Sequence, residues 1–201
     1  MQKKNLFVSH KASRAIPFAS TLTKDFLVQA TLDGDIRRIE YQSGSVIIDD
    51  GIAPVEGIVV ERFDGRYAVD LVHTRPANGS AVEALTQLAF ARGCHGIIEV
   101  NAADVHAEPR CSAARDVWSH HAVRVHADDR AEIREALEMG GPVGLAQLIG
   151  SVTTRGDARA VVFALACEGA VEFDLHNGIT DDLIVRSGRT GSTAGLRAFG
   201  A

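Results

Sequence analysis

Apolar residues alternate along two neighbouring stretches, 55–62 (VEGIVVER) and 67–73 (YAVDLVH). Period-two alternation is the signature of a half-buried strand. Between them lies Phe63-Asp64-Gly65-Arg66. Asp-Gly supplies the positive φ that tight hairpins need, so 55–73 is predicted to be a β-hairpin. Residues 36–48, with Ile36, Ile39, Val46, Ile47 and Ile48, read as extended up to the turn Asp49-Asp50-Gly51. Upstream, Leu22, Phe26, Leu27 and Ala30 share one helical face behind Ser20, a good N-cap residue. Downstream, 81–92 (AVEALTQLAFAR) has Val82, Leu85, Leu88 and Ala89 on one face, and Gly93 ends it. A strand at 96–100 (GIIEV) and one or two short helices over 102–118, broken at Pro109, complete this part. Helix, three strands, helix, strand is the order of an α/β unit with a mixed sheet.

After His126 the pattern becomes helical. Residues 128–139 are amphipathic with acids in the first turn, and Gly140-Gly141-Pro142 interrupts them. A short helix is predicted over 143–151, and a third runs from the cap Asp157 to Glu168. An extended AVEFDL, a turn at His176-Asn177-Gly178 and a strand at 183–186 follow. Three helices and a two-stranded hairpin predict the winged variant of the helix-turn-helix. The divisions are a basic arm (1–19), an α/β domain (20–126), a winged-helix-like domain (127–187) and a Gly/Ser/Thr-rich tail (188–201).

Composition narrows the function classes. At 201 residues and 46 % hydrophobic, the chain can bury a real core. No apolar run approaches the ~20 residues of a membrane span, and the basic N-terminus is not followed by a signal-peptide core. Cys94, Cys111 and Cys167 are odd in number and far apart, without metal-ligand spacing. A cytoplasmic protein with reduced thiols, no membrane partner and no resident cofactor is expected. The net charge of -5 is unevenly spread: residues 1–24 carry +5, residues 183–201 carry +3, and the stretch between carries -13. Basic ends on an acidic middle are either solvated tails or phosphate contacts. Read as contacts, the DNA-facing residues are Lys3, Lys4, Lys11, Arg14, Arg186 and Arg189, with Arg155 and Arg159 at the third helix of the second domain. The fold is expected to survive removal of residues 1–14 together with 187–201.

From the hairpin outward the sequence resembles the PD-(D/E)xK nucleases, in particular the TnsA-type transposon endonucleases. The resemblance rests on the order of elements over nearly the whole chain. It also rests on SxLxxDFL at 20–27, IEYQS at 39–43 and DVHAEPRCSAARDVW at 104–118. It implies a restriction-endonuclease-like mixed sheet followed by a winged-helix domain. It also implies a site of two carboxylates holding Mg²⁺ and a lysine orienting the attacking water. Carried over by position, Glu56 and Asp70 are the metal carboxylates, and Val72 stands where the lysine belongs. Thr23 replaces the acid of the first helix, with Asp25 close by. A second register sets Glu99-Val100-Asn101 as the Glu-x-Lys motif, again without lysine. Read from the residues alone, Asp70 is first a structural carboxylate paired with Arg66 or Arg75, and Glu56 a strand-edge charge.

Three functions stay open. One is a non-cleaving, nuclease-derived protein that associates with DNA or regulates. Another is a protein-interaction module, homodimer included, that touches no nucleic acid. The last is an active Mg²⁺-dependent endonuclease with Arg66, Arg75 or Lys24 supplying the missing charge.

Overall fold

A computed structural model of the chain describes residues 5–48, 51–72 and 79–189, with side chains at 44–48, 51–56 and 79–82 excepted. Lys3, Lys4, His73, Arg75 and the tail beyond Arg189 therefore lie outside the described residues. The chain is a mixed α/β protein that divides into two compact units, 1–115 and 116–201. The division falls inside a helix, earlier than the break expected after His126.

The first unit opens with two short antiparallel strands, β1 (Asn5–Phe7) and β2 (Ile16–Phe18). Helix α1 (Thr21–Leu32) follows, capped by Ser20, whose Oγ accepts from the Thr23 amide. Strands β3 (Ile36–Ile48), β4 (Gly51–Arg62) and β5 (Gly65–Leu71) form an antiparallel meander. Helix α2 (Gly79–Ala91) carries the chain over to β6 (Gly96–Val100), which pairs parallel to β5. The sheet order is β3-β4-β5-β6. The hairpin read from the sequence is present, but its two-residue turn is Phe63-Asp64, one residue earlier than Asp64-Gly65, because Gly65 already pairs with Arg62 as the first residue of β5. Gly65 has φ 150°, and a Cβ there would lie 2.7 Å from the His95 ring. Two short helices, α3 (Ala102–Val105) and α4 (Arg110–Ser119), end the unit's described elements.

Alternation buries both faces of this sheet. Val59 and Ala68 share a phase with Gly57, where an added Cβ would sit 2.8 Å from Leu88, so this is the face under α2. Ile39, Ile58, Val60 and Val69, in the opposite phase, are buried too.

The expected irregular arm is instead built into the fold. Phe7 and Ile16 are core residues. Residues 11–13 lie along the β3 edge: the Ile39 amide donates to the Lys11 carbonyl at 2.8 Å, and the Ser13 amide donates back to Ile39. The Lys11 side chain is only 8 % exposed, with Nζ 2.5 Å from the Asp33 carbonyl at the end of α1. Removing residues 1–14 is therefore expected to destabilise the unit rather than leave it intact. Losing the buried Phe7 ring alone costs on the order of 3 kcal/mol, which for a chain of this size is roughly 6–12 °C of melting temperature. A thermal melt followed by circular dichroism checks this; an unchanged midpoint would restore the free-arm reading.

The second unit contains α5 (Ala127–Gly140), β7 (Val143–Gly144), α6 (Leu145–Ser151), α7 (Ala158–Cys167), β8 (Val171–Glu172) and β9 (Ile184–Ser187). The predicted helix over 143–151 thus begins as a strand, because Val143 and Gly144 pair with Val185 and Ile184. β9 lies between β7 and β8, both antiparallel to it. Of the predicted AVEFDL strand, Val171 and Glu172 pair. Its buried residues include Ile133, Leu137, Leu145, Leu148, Val171, Leu183 and Val185, together with 161–167 of α7. Gly188 is required by close approach: a Cβ there would stand 2.0 Å from the Gly169 carbonyl.

Candidate functional site

The α2 crossover makes β5 and β6 parallel neighbours, and ligands of α/β sheets gather at the carboxyl ends of parallel strands. At that end the register sets Asp70 beside Glu99 and Leu71 beside Val100. The two carboxylates that the sequence offered as members of rival motifs are thus lateral neighbours. Asp70 is 8 % exposed, while Glu99 is open to solvent. Carboxylate oxygens side by side are the ligand type that a hard divalent cation takes.

One residue further on each strand come Val72 and, past the end of β6, Asn101. These are the two positions where the resemblance places a lysine. Val72 has no polar group. Asn101 is committed to the backbone: it caps α3 by accepting from the Asp104 amide at 2.9 Å, and Asp104 returns a bond to the Asn101 amide. Neither position supplies a cation to orient water.

Glu56 stands on β4 in register with Ser43. The β4–β5 register runs to Ile58 opposite Val69; one step further it sets Gly57, not Glu56, across from Asp70. Among the described residues no group of three or more His, Cys, Asp or Glu side chains is arranged to hold a metal ion. Asp70 and Glu99 alone would leave a divalent ion most of its water shell, a mode open to Mg²⁺. The Arg66 side chain, proposed as a partner of Asp70, turns to Glu40, with Nη2 2.8 Å from Oε2. Its amide donates to His95 Nδ1 at 3.2 Å.

The first-helix positions have structural roles. Thr23 completes the Ser20 cap through a hydroxyl contact of 2.9 Å. Asp25 is buried and receives a two-pronged bond from Arg115 on α4, Nε to Oδ1 at 3.0 Å and Nη2 to Oδ2 at 2.6 Å. His106 Nε2 approaches the same Oδ2 at 3.4 Å. Burial pushes the Asp25 carboxyl up, but the Arg115 bond and charge, helped by His106, outweigh it and hold it below the usual range. One turn on, Gln29 donates to the Val105 carbonyl at 2.6 Å. Nothing local announced this network, since ninety residues separate Asp25 from Arg115.

The DNA-facing candidates are mostly occupied. Lys11 is buried as described. Arg14 donates to the Tyr41 carbonyl and lies 5.6 Å from the centre of the Tyr41 ring. Arg155 reaches Asp128 at 2.5 Å, and its amide donates to the buried Asp129. Arg159 packs 5.2 Å over the Phe163 ring and lies 4.0 Å from Asp116. The Arg189 amide donates to Glu172 at 2.7 Å, with its guanidinium 3.6 Å from the same carboxylate. Arg186 is exposed on β9. His121 stacks on Trp118 with ring centres 4.8 Å apart, and His120 meets Phe163 edge-on. Burial raises all three thiols, and Cys167, donating to the Val117 carbonyl, is pushed up to about 12.

No protein-family model matches the chain, and no curated protein matches it in sequence. No described helix is long and apolar enough to cross a membrane.

Proposed function

We propose that this chain is a non-cleaving relative of the PD-(D/E)xK nucleases, ordered like the TnsA-type endonucleases, and that it serves a DNA-associated assembly as a regulatory or architectural part. The observation that carries the reading is the carboxyl end of β5 and β6. Asp70 and Glu99 stand side by side there, and the two lysine positions hold Val72 and a helix-capping Asn101. Such an arrangement retains acidic ligands and lacks the group that activates water. The order helix, three antiparallel strands, helix, parallel strand supports the nuclease-like ancestry. In the second unit, helix, strand, helix, helix, strand, strand, with the last strand between the other two, supports a winged-helix reading.

A second reading, a protein-interaction module that touches no nucleic acid, is favoured by α7. This is the helix a winged-helix protein would lay in the major groove, yet residues 161–167 are all buried. Base readout needs an exposed polar face. Any contact with DNA would then be made to phosphates, by the few basic groups not already paired.

Plasmid nicking with Mg²⁺ or Mn²⁺ tests the proposal. No cleavage is expected. Metal-dependent nicking that disappears in Asp70→Ala would overturn it in favour of an active endonuclease. A fluorescence-anisotropy titration on a random duplex separates the remaining readings: weak, salt-sensitive binding is expected, with a slope of about 0.9 per phosphate contact in log–log form. Absence of binding at low salt would favour the protein-interaction module.

A further inference from the structure

The four-stranded sheet ends in β3 on one side and β6 on the other. The β3 edge is met by residues 11–13 at Ile39. Among the described residues no strand pairs with the outer edge of β6, and every residue of β6 is at least partly exposed. An edge strand presents a row of backbone donors and acceptors, and proteins ordinarily blunt it with lysine, proline or a bulge. β6 (GIIEV) has no lysine and no proline, and its five-residue register with β5 is unbroken.

The side chains around this edge have two further properties. Ile97 is 39 % exposed, and Phe90 on α2 is 85 % exposed. Ile97 pairs with Ala68, on the face that α2 covers, so both apolar groups belong to the same side of the sheet. The charges are graded along the edge as well. Exposed Arg92 and His95 precede β6, whereas exposed Glu99 lies within it and Asp104 follows it. A strand that runs from basic to acidic is complementary to an antiparallel copy of itself and repelled by a parallel one.

We propose that the β6 edge is a homodimer interface, in which two copies pair antiparallel about a two-fold axis and join their sheets into one. Isologous pairing uses the same patch twice. With the axis at Ile98, Glu99 of each copy falls opposite Ile97 of the other, so no like charges meet, and Arg92 of each lies toward the acidic end of the other. Phe90 and Ile97 of both copies then lie on the α2 side of the joined sheet. The inference does not depend on the nuclease-like reading.

Sedimentation equilibrium of the full chain over about a hundredfold range of concentration tests it. A monomer–dimer equilibrium is expected, with slower amide exchange over 96–100 at high concentration. Ile97→Lys is expected to weaken the dimer at least about tenfold, and Arg92→Glu, which turns an acid toward the acidic end of the other copy, by about threefold. Both positions are exposed, and circular dichroism checks that each variant is folded; Phe90→Ser serves in place of either that is not. A monomer at every concentration overturns the proposal. So does a dimer indifferent to Ile97→Lys and Phe90→Ser, or exchange over 96–100 that ignores concentration.

Discussion

Replacing Arg115 with alanine is expected to cost about 2–3 kcal/mol of stability at neutral pH, as a lowered urea midpoint. Removing one partner of a buried pair costs about 3–5 kcal/mol because the other charge is left without compensation. The lower figure applies because the Arg115 side chain is 54 % exposed and its contribution is screened. Asp25 itself is buried on α1, and His106 at 3.4 Å remains to face it. The pH dependence distinguishes this from a loss of packing. In the native chain the folded carboxyl lies below its unfolded value, so its stabilisation is complete above about pH 4 and fades as pH falls through the folded value. In Arg115→Ala burial dominates and the carboxyl is pushed up, so the variant loses stability as pH rises past about 4. The gap between the two proteins should therefore be widest at pH 7 and narrow toward pH 3. Asp25→Asn in the Arg115→Ala background should recover part of the loss, since the amide carries no charge to bury. Equal urea midpoints at pH 7, or a gap that does not change with pH, would show that the pair is only a surface ion pair.

How far the sequence reached can be traced residue by residue. The β4–β5 hairpin was legible because alternation and Asp64-Gly65 are local signals, and Gly65 does take a positive φ. β6 was legible for the same reason, as was the helical face of α2 around Leu88. β1 and β2 span three residues each and β7 spans two, too few for any period to show. Their existence is decided by partners distant in sequence, such as Val185 for Val143. The basic ends show the limit of charge counting. Lys11, Arg14 and Arg189 contribute to a positive tally, yet each is held by a carbonyl or carboxylate elsewhere in the chain. The candidate site was half legible. Asp70 and Glu99 were each visible as an acid on a strand, but their adjacency is a property of register, and a parallel register across a helix crossover leaves no local mark.

The same distinction between composition and surroundings governs α7, where the last large effect is expected. Phe163 is 0 % exposed, meets His120 and Phe173 edge-on and sits in an unbroken buried run from Val161 to Cys167. Phe163→Ala should lose about 3–5 kcal/mol, the cost of the ring's transfer and of the cavity it leaves. Arg159, one turn earlier, is half-exposed over that ring and 4.0 Å from Asp116. Arg159→Ala should lose no more than about 1 kcal/mol, since an exposed ion pair contributes little. Urea denaturation measures both. If α7 is a core helix, Arg159→Ala also leaves the affinity for a random duplex within about twofold, because one phosphate contact at most is removed. If α7 is instead a reading helix, its first turn must enter the groove, and Arg159→Ala would reduce duplex affinity about tenfold or more at unchanged stability, with a loss of discrimination between sequences. That second outcome would return the second unit to DNA and set aside the protein-contact reading that the burial of α7 favours.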